Sequence, residues 1–148
     1  MTLGDGGKER LLDLARESRR MMVYADRLAA FFDLDASQAE AILDRAYDEK
    51  SWKPIVADGL SCFKVSPGGK WLRHECIMLR LKPNVRFPLH PHPFGEHILV
   101  LAGAFRDTNG QEVWRGEDAY NGAGSEHGLT ALEGEDCIAA VITLKGPA

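Results

Sequence analysis

Four of the five histidines fall between residues 90 and 127, and there the residue types and their spacing suit chemistry. His90-Pro91-His92 is a His-x-His pair. On a strand, residues two apart point to the same side, so both imidazoles can converge on one ion. Glu96 follows four residues after His92, and a turn through Pro93-Phe94-Gly95 would bring its carboxylate back to the same centre. His127 comes much later, after Gly124-Ser125-Glu126. Three imidazoles and one carboxylate make a mixed nitrogen/oxygen donor set, which suits iron(II), manganese, nickel, cobalt or zinc. Such a set leaves one or two positions open on a five- or six-coordinate ion, as a catalytic metal requires. His97 would point to the opposite face of its strand and joins the set only if the strand is bulged. His74, between Arg73 and Glu75, reads as an ordinary surface or core histidine.

The walls of a substrate pocket should come from aromatic residues near these ligands: Phe87, Phe94, Phe105, Trp114 and Tyr120. Phe87 and Phe94 flank the His-x-His pair and are the first candidates for its mouth. An apolar pocket with few polar groups suits a small organic ligand or substrate. No second acid/base or nucleophile of comparable specificity stands out. Glu133, Glu135 and Asp136 read as a solvated loop. Gly4-Asp5-Gly6-Gly7 is no phosphate loop, since no strand precedes it and no Gly-Lys-Ser/Thr follows.

The elements that must position the histidines change character near residue 50. From Lys8 to Phe32 apolar residues recur near one face of a 3.6-residue repeat, among them Leu11, Leu14, Met22, Ala25, Leu28 and Phe32. Arg16, Arg19, Arg20 and Arg27 are interleaved with Asp13, Glu17 and Asp26, so they read as a salt-bridged, solvated helix face. Asp33-Leu34-Asp35 reads as a stop and restart, with Asp35 as N-cap and Gln38 as its capping-box partner. A second helix then spans about Ala36 to Tyr47, presenting Ala39, Ile42, Leu43 and Ala46.

After Lys53-Pro54, Gly and Pro recur at short intervals between β-rich runs: Leu60 to Val65, Trp71 to Leu81, His97 to Leu101, Gln111 to Trp114 and Cys137 to Leu144. Asp107-Thr108-Asn109-Gly110 contains Asn-Gly, a hairpin signal. Strands from Glu96 and from Cys137 look apolar on both faces, so their outer faces need cover, from the helical third of the chain and from a second subunit. The expected fold is mainly β, an antiparallel barrel over 55–146 with an N-terminal helical extension of two or three helices over 1–50.

The chain has 148 residues, 45% hydrophobic and 27% charged, with a net charge of −4. That is the composition of a single soluble globular domain and excludes collagen-like, coiled-coil and wholly disordered classes. Apolar runs are too short to span a bilayer, and the polar, glycine-rich start lacks the features of a signal peptide. Mild acidity argues against nucleic acid as a partner. Cys62, Cys76 and Cys137 form no Cys-x-x-Cys pair and read as buried free thiols in a reducing cytoplasm.

The stretch His90-x-His92-x3-Glu96-x6-Gly103 resembles the first motif of the cupins, and Gly116-x5-Gly122-x-Gly124-x2-His127 resembles the second. Gly122 stands where a proline is usual, and Ala131 where asparagine is common. Neither departure removes a ligand. Within the cupins, Glu96 to Asp107 with Asn109-Gly110 and Gly124-Ser125-x-His127 is similar to the cupin domain of ChrR-type anti-sigma factors and their stand-alone relatives. The resemblance implies a jelly-roll barrel, one divalent transition metal (iron, manganese, zinc or nickel) held by His90, His92, Glu96 and His127, and a homodimer. The regulators of that group hold a sigma factor with a His-x3-Cys-x2-Cys zinc motif in a separate helical domain. Residues 8–47 contain no His and no Cys, so zinc-dependent anti-sigma activity does not carry over. Two functions are therefore expected in competition. The first is a metal-dependent enzyme on a small organic substrate, with dioxygenase chemistry as its most concrete form. The second is a metal-occupied sensor that signals to a protein partner through the N-terminal helices. A sugar isomerase or epimerase is a third, weaker reading.

Overall fold

The computed structural model describes residues 19–146. The part of the first expected helix before Arg19 lies outside these residues. A 3-10 turn, Arg20–Tyr24, leads into helix α1 (Ala25–Phe32). Helix α1 stops at Asp33, which takes a left-handed conformation with φ 60°. The Leu34 amide donates to the Ala29 carbonyl at 2.8 Å, the long-range bond of a Schellman ending. Helix α2 (Ala36–Ala46) starts from Asp35, and the expected capping box with Gln38 is present. The two bonds are 2.8 and 3.0 Å and satisfy two donors that a helix start leaves orphaned.

The remaining chain forms ten strands: β1 (Lys53–Pro54), β2 (Leu60–Lys64), β3 (Glu75–Leu81), β4 (Arg86–His92), β5 (Glu96–Ala102), β6 (Ala104–Asp107), β7 (Glu112–Trp114), β8 (Asp118–Asn121), β9 (Ser125–Ala131) and β10 (Cys137–Thr143). They make two antiparallel sheets, one in the order β1-β2-β3-β10-β5-β8 and the other β4-β9-β6-β7. The strand-pairing ladders stay within each sheet, so the expected barrel takes the form of two sheets that share a core. Leu79, Ile98, Val100 and Val141 from one sheet pack with Phe105, Val113, Leu129 and Ala131 from the other.

The apolar outer face of the larger sheet is covered as its pattern demands. Leu28, Phe32, Ala39 and Leu43 of the helices join Met78, Leu99, Leu101, Ala140 and Ile142 in one buried cluster. Strand β5 thus divides its residues by alternation, Ile98 and Val100 to the inner core and Leu99 and Leu101 to the helices. Arg19, Arg20 and Arg27 bond within the chain, Arg19 to Asp44, Arg20 to Glu135, and Arg27 to the Gly116 carbonyl; Arg16 lies outside the described residues.

The run from Trp71 does not begin as a strand. Residues Gly69–Trp71 form a 3-10 turn docked on the end of α1, and β3 starts only at Glu75. The Gly68 amide donates to Phe32 O at 2.9 Å, and the Lys70 amide to the Asp33 carboxylate at 2.9 Å. A Cβ on residue 68 would lie 1.7 Å from the Asp33 carbonyl oxygen, so only glycine permits this approach. The cysteines are free, with Cys76 and Cys137 buried. Among the described residues no helix is long and apolar enough to cross a membrane.

Candidate metal centre

Two strands of the smaller sheet carry the three histidines, and one strand of the larger sheet adds the glutamate. His90 and His92 lie on β4, an edge strand of its sheet. Its prolines, Pro88 and Pro91, are tolerated there because one side of an edge strand needs no amide donors. His127 on β9 stands directly opposite His90 in the ladder. The chain then leaves β4 through Pro93-Phe94-Gly95, where Gly95 takes φ 101°, and crosses to the larger sheet. Glu96, the first residue of β5, therefore faces back into the cluster. His90, His92, Glu96 and His127 each offer a donor atom, and these atoms lie within 4.8 Å of one another. His92, Glu96 and His127 are buried, and His90 is half-buried.

Each imidazole is oriented by a neighbour. His127 Nδ1 lies 2.8 Å from Asp107 Oδ2 and its Nε2 3.1 Å from Glu96 Oε1. With its proton on Nδ1 shared with Asp107, His127 would turn the Nε2 lone pair toward an ion held in the cluster. The other oxygen of Asp107 accepts from the Asn109 amide at 3.3 Å, so one carboxylate shapes the hairpin turn and holds the histidine. His90 Nδ1 is 2.6 Å from the Pro88 carbonyl, again freeing Nε2. His92 Nδ1 is 3.4 Å from Glu96 Oε2. Its Nε2 is buried and has no hydrogen-bond partner among the described residues. Buried polar atoms are nearly always paired, and an ion among these donors would supply the missing partner. The donor set therefore fits a divalent transition metal.

The charges are consistent with that. Burial pushes the His92 pKa down, so the ring is neutral and ready to coordinate near pH 7. Burial opposes protonation of His127 too, but the combined pull of the Glu96 and Asp107 carboxylates raises its pKa on balance. His97 faces away from the cluster, as its position on β5 predicts. It packs against Trp71 and Tyr120 with ring centroids 5.5 and 4.7 Å away. His74 accepts a bond from the Lys145 amide.

A cavity of about 380 Å³ opens beside the cluster, walled by Ile77, Leu79, Phe87, Ile98, Leu129 and Val141. Of the aromatic residues expected around the site, Phe87 lines this cavity. Phe105 is fully buried in the shared core, while Phe94, Trp114 and Tyr120 are half exposed at the surface, away from the cavity lining. A bulge explains why Phe87 faces inward. It and His90 are three residues apart and would point to opposite faces of a regular strand. Between Phe87↔Leu129 and His90↔His127, β4 has two residues where β9 has only Gly128, and the extra residue restores their shared face. The two rings lie 4.6 Å apart. Asp107 and Asn121, whose amide lies 3.3 Å from His127 Nε2, complete the site without having been singled out from the sequence. Asp107 carried one signal, an acidic side chain at the start of a turn.

Comparison with known proteins agrees with this geometry. The profile of the ChrR cupin-like domain matches residues 43–145. A chain of the crystal structure of Rhodobacter sphaeroides SigE in complex with the anti-sigma ChrR is 28% identical, with a TM-score of 0.55. That match covers 63% of this chain and only 48% of the other, about half its length. KdgF from Halomonas sp. shares the fold at 18% identity and TM-score 0.52, over 64% of this chain and 86% of its own. An acetylacetone dioxygenase from Acinetobacter johnsonii does so at 11% identity and TM-score 0.55, over 66% and 70%. Curated protein sequences contain no match. The chain is a member of the ChrR cupin-like domain family.

Proposed function

We propose that this protein is a metal-dependent enzyme in which His90, His92, Glu96 and His127 hold one divalent transition metal and a small organic substrate occupies the adjoining cavity. The observation that carries the reading is the pairing of a converging donor set, one of whose buried nitrogens has no partner among the described residues, with an apolar cavity beside it. Iron(II) with open positions would supply dioxygenase chemistry, since substrate oxygen and dioxygen can be held side by side. The chain's own residues do the rest. Asp107 and the Pro88 carbonyl orient two imidazoles, and Phe87, Leu129 and Val141 keep the substrate dry and positioned. The acetylacetone dioxygenase shares only the fold, and so contributes no more than compatibility of the scaffold with such chemistry. The test is oxygen uptake by iron-loaded protein with a panel of diketones, thiols and phenolic ketones. Turnover that is lost in His92→Ala supports the proposal, and no uptake across the panel refutes the dioxygenase form.

The ChrR likeness favours a second reading, a metal-occupied sensor with a protein partner. It requires α1 and α2 to leave the sheet. Their burial against Leu99, Leu101 and Ala140 favours a fixed cover. Faster hydrogen exchange across α1 and α2 on metal removal would revive the sensor.

A further inference from the structure

Strand β2 alternates as β5 does. Phe63 packs under the helices, while Leu60 and Cys62 belong to the inner core. Lys64 continues the inner row and lines the cavity beside the metal cluster. It is the one lysine or arginine among the described lining residues. The nearby acid, Glu75, is already engaged by Lys145 at 3.1 Å, and among the described residues the Lys64 ammonium has no ion-pair partner. The ladder fixes what lies between it and the cluster. Lys64 pairs with Ile77, Ile77 with Val141, and Val141 with Ile98, one strand turn beyond Glu96. Those three strand steps amount to roughly 14 Å along the sheet, and they are floored by apolar side chains. Phe87 and Leu129 face them from the other sheet.

Building on the metal-enzyme reading above, we infer that the cavity selects a carboxylic acid: its carboxylate meets Lys64, its apolar body lies on Ile77, Val141 and Ile98, and its oxygen-bearing far end reaches the metal. The single ammonium suits a carboxylate better than a phosphate. Phosphate sites gather several donors, commonly a forked guanidinium or a helix start, and the cavity lining has neither.

The experiment compares suberic acid monohydroxamate with octanohydroxamate, equal in chain length and in metal-binding head, on the zinc-loaded full chain by calorimetry. The carboxylate-bearing probe should bind about fivefold more tightly to the wild type. Lys64→Met should abolish that preference, Lys64→Arg should keep it, and Lys64→Glu should reverse it, while octanohydroxamate binds all four proteins alike. Equal affinity of the two probes for the wild type, or a preference that survives in Lys64→Met, would overturn the inference and leave the metal centre standing. Failure of the chain to take up zinc at all would overturn the metal reading and this one with it.

Discussion

Removing the Asp107 carboxylate isolates the contribution of a residue that never needs to touch the metal. Its Oδ2 is 2.8 Å from His127 Nδ1, and both groups are buried. In Asp107→Asn the oxygen that holds the Asn109 amide can stay, while an NH2 group replaces the acceptor facing His127. His127 must then accept at Nδ1 and carry its proton on Nε2, which blocks the lone pair aimed at the cluster. A charge-assisted hydrogen bond of this kind contributes about 1.5–3 kcal/mol, a factor of roughly 10–150 in affinity. The assay is competition for zinc against a chromophoric chelator, with thermal melts of the metal-free proteins to show that the turn survives. Zinc affinity within twofold of wild type would refute the claim that Asp107 sets the tautomer of His127.

Three further outcomes follow from other parts of the molecule. Metal affinity should fall as pH drops, and His127 should govern the fall: its pKa is raised, so protons compete there first, whereas His92 is already neutral near pH 7. A flat affinity between pH 8 and pH 6 contradicts this. Gly68→Ala should cost about 3 kcal/mol, since a methyl group would overlap the Asp33 carbonyl and detach the turn from α1; an unchanged melting temperature would show that the contact is dispensable. In the native protein, a thiol reagent should modify Cys62 well before the other cysteines. Cys76 and Cys137 are buried, and burial pushes their thiols up to about 11 and about 12. Equal labelling of all three would indicate a far more open sheet.

Much of this arrangement is legible in the chain because the relevant signals are local. Asp35 and Gln38 announce the start of α2 within four residues, and Asn109-Gly110 announces the β6–β7 hairpin. The doubly apolar pattern of Glu96 to Leu101 already demands cover on both faces. His90, His92 and Glu96 follow from strand alternation and the Pro93-Phe94-Gly95 turn, whereas His127, on another strand, is reached only through its resemblance to the second cupin motif. What escapes is non-local or aperiodic. Strand β4 contains two prolines and a bulge, so its inward residues break the period of two that would reveal it. Strand β8 is a short sheet edge with little burial, and its sequence carries no strong pattern. Phe94, Trp114 and Tyr120 lie close to the ligands or their motifs in sequence, but their side chains are exposed elsewhere. Proximity along the chain says little about which side of a sheet a ring occupies. The role of Asp107 depends on a partner twenty residues away on another strand.

The most direct test of the central claim is elemental analysis of untagged protein purified without oxygen, beside a His92→Ala control. Iron or manganese near one equivalent per chain, lost in the control, is the predicted result, and it would send the substrate search toward oxygen-dependent chemistry. Firmly held zinc would confirm the centre and contradict the dioxygenase form. Absence of metal from both samples, with no uptake on reconstitution, would contradict the account at its root.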